Sequence, residues 1–225
     1  MAGLIELREV SFEYKYKKEK KIILNQVNYT FEKGIMYAVV GRSGAGKTTT
    51  LSLLGSLDRP TKGNVCYDGK DLEEIGYSEY RRRYVGIVFQ EYNLLSYFSV
   101  LDNVTAAMEI TGMEKAGRKK RAEELLKRVG IEEALFQKKV TTLSGGEQQR
   151  VAIARAVAKD AELLLADEPT GNLDDETSEQ IIELLKRLAH EEKRCVIIVT
   201  HSRNVVEQAD KVLRLEKGIL KEELA

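Results

Sequence analysis

The chain opens on two short alternations of apolar and polar residues, Ile5 and Leu7, then Val10, Phe12 and Tyr14, whose faces match only across a phase slip. Period-two alternation predicts half-buried strands, here two joined at the slip. A charged segment, Lys17 to Lys21, follows, and Val27, Tyr29 and Phe31 resume the alternation directly afterwards. The charges therefore read as a solvated hairpin tip rather than a binding patch. After Gly34 the apolar run Ile35 to Val40 ends in a glycine-rich stretch, and Thr48 to Leu57 carries Leu51 and Leu54 at helical spacing. This predicts strand, glycine loop, helix. Pro60 and Gly63 close that helix, and Val65 to Tyr67 before Asp68-Gly69 predicts a small hairpin.

Val85, Ile87 and Phe89 alternate up to Gln90, after which helical spacing takes over. Ala122, Leu125, Leu126 and Val129 form one apolar stripe ending at Gly130, while the basic stretch Gly112 to Lys120 reads as a loop. Residues 91 to about 150 thus form an inserted helical subdomain. Strand Leu163 to Ala166, an amphipathic helix with Ile181, Leu184, Leu185 and Leu188, and strand Val196 to Thr200 follow it. Strands alternating with helices imply an α/β fold: a mainly parallel sheet covered on both faces, beside an N-terminal antiparallel β subdomain.

With 225 residues the chain suits one domain with an insertion. Lys and Arg number 36 and Asp and Glu 36, so no net basic field draws it to nucleic acid or anionic lipid. No apolar run approaches the roughly 18 residues that span a bilayer, and Met1 to Glu9 lacks a signal core. A membrane role must then come through a partner. Cys66 and Cys195 lie in apolar stretches with no metal or disulfide-framework spacing, as expected of buried, reduced thiols in a cytosolic protein.

Three strings carry chemistry. Gly41-Arg42-Ser43-Gly44-Ala45-Gly46-Lys47-Thr48 fits the phosphate-loop pattern, in which glycines let backbone N–H groups approach phosphate, Lys47 meets the β and γ oxygens and Thr48 holds magnesium. Leu163 to Glu168 is an apolar strand ending in two carboxylates, which suits a magnesium-ordering Asp167 beside a proton-accepting Glu168. Alone, such a pair is as readily a cap or a loop. Leu143-Ser144-Gly145-Gly146-Glu147-Gln148-Gln149-Arg150 contains a Ser-x-x-Glu capping box before an apolar-periodic helix. A plain cap is one reading. Yet its two glycines cost roughly 1 kcal/mol each in helix propensity, and they let a phosphate approach the positive helix end. From a separate subdomain that helix end does not readily reach the phosphate held by Lys47 of the same subunit, whereas a second copy could supply it.

With this string the sequence resembles the nucleotide-binding subunits of ABC transporters, over essentially the whole chain. The resemblance implies a P-loop NTPase core forming one ABC ATPase domain, residues 1–225, that hydrolyses ATP with Mg2+. It also implies a head-to-tail homodimer with two ATP molecules at the interface, each between one copy's phosphate loop and the other's signature helix. Residue by residue, Tyr14 matches the aromatic that stacks on adenine, and Gly41, Ser43, Gly44, Ala45, Gly46, Lys47, Thr48 and Thr49 match the phosphate loop. Gln90 matches the glutamine that contacts magnesium and links nucleotide to the membrane partner, so Thr48, Gln90 and Asp167 form the implied metal set. Ser144, Gly145 and Gly146 match the signature. Asp174, in Gly171-Asn172-Leu173-Asp174, matches a loop that crosses the interface, compatibly with an N-cap. His201 matches the switch histidine at the γ-phosphate, and Glu168, His201, Gln90 and Lys47 make up the implied catalytic set. Glu147, where glutamine is commoner, and the small Ala166 depart from the family pattern without removing a catalytic group.

Asp167 to Asp174 and Phe89 to Leu95 further resemble the branch serving macrolide exporters, lipoprotein release, septal complexes and bacitracin-type resistance. That implies an integral membrane permease as partner, a place at the cytoplasmic face of the membrane through that permease, and no nucleic acid. Tyr92, Leu94, Leu95, Tyr97 and Phe98 make the stretch after Gln90 apolar, as a permease surface or as core packing. A GTPase is disfavoured, for the chain has no Asn-Lys-x-Asp tetrapeptide. The alternative is a soluble ABC-type ATPase acting on a nucleic-acid or protein complex without a permease.

Overall fold

The computed structural model describes residues 3–16 and 19–223. The two opening alternations form one strand, β1 (Ile5–Tyr16), paired antiparallel with β2 (Glu19–Phe31). The phase slip falls among three register shifts, between Leu7 and Val10, Val10 and Phe12, and Phe12 and Glu13, with Glu9 and Gln26 at φ 51° and 49°. Bulges absorb the odd residue and put Ile5, Leu7, Val10 and Phe12 all in the core, so no break between strands is needed. Of the charged segment, Lys17 and Lys18 lie outside the described residues. β4 (Lys62–Tyr67) pairs with the other edge of β1, and β5 (Lys70–Asp71) closes the small hairpin, giving the order β2-β1-β4-β5.

The second sheet has six strands in the order β10-β9-β3-β8-β7-β6. Here β3 is Met36–Val40, β6 Val85–Val88, β7 Leu163–Asp167, β8 Cys195–Val199, β9 Lys211–Glu216 and β10 Ile219–Glu223. β9, β3, β8, β7 and β6 run parallel, and β10 returns antiparallel on β9. The β9–β10 hairpin is absent from the pattern reading. Its turn is Lys217-Gly218, with φ 51° and 79°, the left-handed pair that a two-residue hairpin requires.

Residue alternation in the parallel strands divides the interior in two. Met36, Ala38, Leu164, Ala166, Val196 and Ile198 pack on the helices α4 (Val100–Ile110), α5 (Arg118–Arg128), α6 (Gly145–Val157) and α7 (Asp175–His190). Tyr37, Val39, Leu163, Leu165, Cys195 and Ile197 pack on α1 (Lys47–Leu54) and the antiparallel sheet. Both faces of each central strand are thus buried, which is why these strands are continuously apolar. Both cysteines are buried and free, and burial pushes both thiols up from their ordinary range. Short helices α2 (Leu72–Ile75) and α3 (Tyr77–Arg83) precede β6, and α8 (Arg203–Gln208) precedes β9.

Three boundaries differ from the sequence expectation. α1 starts at Lys47 and stops at Leu54, where Gly55 caps it before Pro60 is reached. The expected loop Gly112 to Lys120 is helical from Arg118, because Gly117 at φ 87° turns the chain into α5 and Arg118 Nη2 donates to Met113 O at 2.6 Å. α4 is capped by a reciprocal Ser99–Asp102 box that sequence reading passed over. Helices α4, α5 and α6 lie between β6 and β7, and among the described residues no helix is long and apolar enough to cross a membrane.

Candidate functional site

Four parallel strands end on the same edge of the sheet: β3 at the phosphate loop, β8 at Thr200 and His201, β7 at Asp167 and β6 two residues before Gln90. Parallel strand order alone therefore gathers the motifs, as the carboxyl edges of open α/β sheets do. A Cβ on Gly46 (φ 106°) would stand 2.4 Å from Ile23 Cγ2, and one on Gly41 would stand 2.6 Å from Leu215 O. β2 and β9 thus press on the back of the loop, which keeps Ser43 and Gly44 facing solvent; Ala45 N closes it on Arg42 O at 3.1 Å. The N-terminus of α1 has neither a side-chain cap nor an acidic residue in its first turn, unlike α4 and α6. Its positive end is free to meet an anion.

Lys47 is 7% exposed. Its Nζ lies 3.0 Å from Gly41 O, 3.4 Å from Arg42 O and 2.8 Å from His201 Nε2. An ammonium only donates, so His201 Nε2 is the acceptor in this contact. Thr49 Oγ1 sits 3.4 Å from Tyr14 OH, and the Tyr14 ring packs edge-on against Phe12 with centroids 5.0 Å apart. Tyr14 stays half exposed while Phe12 is buried, so Tyr14 is the ring that offers a face beside the loop.

Thr48 Oγ1 is 3.5 Å from Asp167 Oδ1. Burial raises the Asp167 carboxyl above its usual range, against the lowering by Thr48, and the neighbouring Glu168 charge raises it further. A half-buried carboxylate beside a hydroxyl, on which the Lys47 charge acts less than burial does, is a hard-oxygen set that fits Mg2+, which takes one or two protein oxygens and keeps the rest for water and phosphate. Among the described residues no three or more His, Cys, Asp or Glu cluster as a metal site.

Glu168 has φ 45°, a left-handed backbone for a non-glycine residue, held by its N–H on Val199 O at 2.9 Å and by Gly171 N on its carbonyl at 3.1 Å. This turn sends its side chain back over β8. There Oε2 accepts from Thr200 Oγ1 at 3.2 Å and from His201 N at 3.1 Å, while Oε1 lies 3.7 Å from His201 Nε2. Gln90 is exposed; its Nε2 would be 3.4 Å from a Cβ on Gly171, and Asn172 Nδ2 donates to Gln90 O at 3.4 Å. One chain thus assembles Tyr14, the loop, Gln90, Asp167, Glu168 and His201. An ammonium, a positive helix end, a hydroxyl–carboxylate pair and a carboxylate with one untied oxygen suit transfer of a phosphoryl group to water.

Ser144, Gly145 and Gly146 form a separate group. Ser144 caps α6: its Oγ accepts from Glu147 N at 3.3 Å, and its N–H donates to Glu147 Oε2 at 2.7 Å. A Cβ on Gly146 would stand 2.4 Å from Thr177 Cγ2, and one on Gly145 would stand 3.0 Å from Tyr92 Oη. The glycines therefore have an internal reason that sequence reading missed: Gly146 lets α6 dock on the start of α7, and Gly145 makes room for Tyr92 and Leu173. Asp174 caps α7, with Oδ1 accepting from Thr177 N at 2.8 Å and Oδ2 from Thr177 Oγ1 at 2.8 Å, and those donors hold its carboxyl below the usual range. Arg155 of α6 donates to Tyr92 O at 2.8 Å and to Asn93 O, tying the signature helix to the segment after Gln90. Arg155, Thr177 and Thr200 were not legible as site residues, because their roles are contacts between distant segments.

Comparison with known proteins bears on the whole chain. The ABC transporter family profile matches residues 24–171. The ABC transporter ATP-binding protein YclH of Bacillus subtilis, itself uncharacterised, is 48% identical over 216 residues, covering 96% of this chain and 95% of that one. The macrolide export ATP-binding/permease protein MacB of a Shewanella species is 40% identical over 97% of this chain, which spans only 34% of that relative. Among solved structures, the dimeric cassette MJ0796, a protein of Methanocaldococcus jannaschii, superposes with a TM-score of 0.89 at 38% identity, covering 98% of both chains. A second structure of the same cassette, dimeric in a post-hydrolysis state with ADP and Pi, has a TM-score of 0.88.

Proposed function

This chain belongs to the ABC transporter family as one of its ATP-hydrolysing cassettes, and from that premise we propose that two copies pair head to tail to complete two ATP sites and drive a membrane permease. The observation that carries the reading is the division of the motifs into two groups, the phosphate loop with Glu168 and His201 on one side and the α6 N-terminus on the other. Within one chain, Ser144 and Gly146 bond and pack against Glu147 and Thr177, not the phosphate loop. A second copy in the opposite sense supplies the missing half, and the dimeric state of the similar MJ0796 cassette supports this.

In this reading Tyr14 stacks on adenine, and Gly41, Ser43, Gly44, Ala45, Gly46, Lys47, Thr48 and Thr49 wrap the phosphates. Bound Mg2+, held by Thr48, Asp167 and Gln90, would neutralise charge on the phosphate oxygens. Lys47 turns its donors from its own loop carbonyls to phosphate. The partner's Ser144, Gly145 and Gly146 present a helix end to the γ-phosphate, with Asp174 alongside. Glu168 accepts the proton of the attacking water through its untied oxygen, and His201, released from Lys47, holds the closed geometry. Mixing a Lys47→Ala chain with a Ser144→Arg chain tests the shared site. Each variant alone is inactive, while the mixture recovers hydrolysis, since mixed dimers contain one site built from the intact loop of one copy and the intact signature of the other. A mixture as inactive as its parts overturns the head-to-tail arrangement.

The permease is proposed to dock beside the segment that follows Gln90. Tyr92 and Leu94 pack against the core, whereas Leu95, Tyr97 and Phe98 are exposed, Tyr97 at 89%. Beside them lies a cleft of about 350 Å³ whose lining includes Phe89, Asn93 and Ile110 with Arg81, Arg155 and Lys159, and no carboxylate. It suits a partner helix with an apolar face and an acidic residue. That the MacB relative is named for ATP binding and permease together supports such a partner, and with it a place at the cytoplasmic face of the membrane reached only through the permease. A thiol crosslinker on Tyr97→Cys captures a membrane subunit in native membranes; crosslinking that never does so rejects this surface.

A further inference from the structure

The Glu168 carboxylate is not symmetric in its surroundings. Oε2 carries two donors, Thr200 Oγ1 and His201 N, whereas Oε1 is left facing His201 Nε2 at 3.7 Å. Thr200 is wholly buried at the end of β8, its N–H on Val39 O at 3.2 Å, so its position is set by the sheet. Ser202 N also approaches Thr200 Oγ1, at 2.9 Å. An amide N–H only donates, so it takes a lone pair of the hydroxyl and leaves the single O–H proton to point at the carboxylate, which only accepts. Chained donors of this kind polarise one another.

Thr200 is in no motif of the sequence analysis, yet among the described residues it is the one whose side chain donates a hydrogen bond to the Glu168 carboxylate. The left-handed backbone at Glu168 aims the side chain towards β8, and the hydroxyl then stops its rotation. We propose that Thr200 is a positioning residue for hydrolysis: the relay from Ser202 N through Thr200 Oγ1 pins Oε2 so that Oε1 is the oxygen presented to the attacking water. Thr200 itself touches neither nucleotide nor water. The proposal rests on Glu168 being the proton acceptor. His201 N, a backbone donor on the same oxygen, holds one coordinate of the carboxylate, and Thr200 holds the other.

The test is steady-state ATP hydrolysis by Thr200→Val, which keeps the volume and branching of the buried side chain and deletes the hydroxyl. Displacing a reacting group by a fraction of an ångström to one ångström lowers turnover on the order of 10- to 100-fold. The expected result is a fall in kcat of that size with KM for ATP within about twofold, and recovery to near the parent rate in Thr200→Ser, which restores the donor. Should Thr200→Val fail to fold, Thr200→Ala deletes the same donor without the second methyl group. In a Glu168→Gln background, Thr200→Val leaves the residual rate unchanged, because the group it positions has lost its function. Unchanged kcat in Thr200→Val, or an equal further loss in the Glu168→Gln background, overturns the proposal while leaving the role of Glu168 standing. Full turnover in Glu168→Gln alone overturns both.

Discussion

Glu168→Gln lowers ATP turnover by about 10²- to 10⁴-fold, the range a positioned general base contributes, and leaves ATP bound between two copies. The amide is isosteric with the carboxylate, and its oxygen can still accept from Thr200 Oγ1 and His201 N, the two donors that hold Oε2. The fold at the end of β7 is therefore retained and only the capacity to take up a proton is lost. With hydrolysis blocked, the contacts that ATP makes to both copies persist. Light scattering after size exclusion is expected to give a monomer mass without nucleotide and a dimer mass with MgATP. Unchanged turnover removes Glu168 from its role. A variant that stays monomeric at saturating MgATP counts against the shared site.

Lys47→Ala weakens ATP binding by roughly 10- to 150-fold, taking the 1.5–3 kcal/mol typical of a hydrogen bond to a charged group. The ammonium is nearly buried and satisfied within the chain by Gly41 O, Arg42 O and His201 Nε2, so it is already held at the centre of the loop and loses little freedom when phosphate arrives. Among the described residues no other side-chain cation is hydrogen-bonded to Gly41 O, Arg42 O or His201 Nε2, and Arg42 is exposed. The nucleotide-free variant stays folded, since Gly41 and Arg42 lie at a loop where water replaces the lost donor. Calorimetric titration with ATP on the variant and the parent chain measures the loss directly. Affinity within twofold of the parent would remove Lys47 from the phosphate contacts.

How much of this was legible from the chain alone differs by element. The buried strands β3, β7 and β8 are short apolar runs with both faces covered, and such runs need no partner information to be recognised. β9 and β10 alternate weakly around Lys217-Gly218, and their place at the sheet edge depends on pairing with β3, far away in sequence. The boundary of α5 hinged on Gly117, whose left-handed backbone turns the chain into the helix where a glycine more commonly marks a stop. At the signature, the pattern showed a capping box and two costly glycines. The reason visible in the fold is Thr177 lying 2.4 Å from where a Gly146 side chain would begin. The segment after Gln90 reads from the sequence as either partner surface or core packing, and the structure divides it residue by residue, with Tyr92 and Leu94 packed on the core and Tyr97 exposed.

What the amino-acid sequence determined by itself is chemistry that resides in contiguous residues: the phosphate loop, the paired carboxylates and the capping box. Each depends on neighbours along the chain, and backbone conformation and local hydrogen bonding are encoded at that range. Only the tertiary structure decided which groups face one another. The contact of His201 with Lys47, the tied and untied oxygens of Glu168, the hydroxyl of Thr200 behind them and the separation of Ser144 from Lys47 all follow from strand order and helix packing. Such contacts join segments tens to more than a hundred residues apart, and their geometry comes from the packing of a whole sheet between two layers.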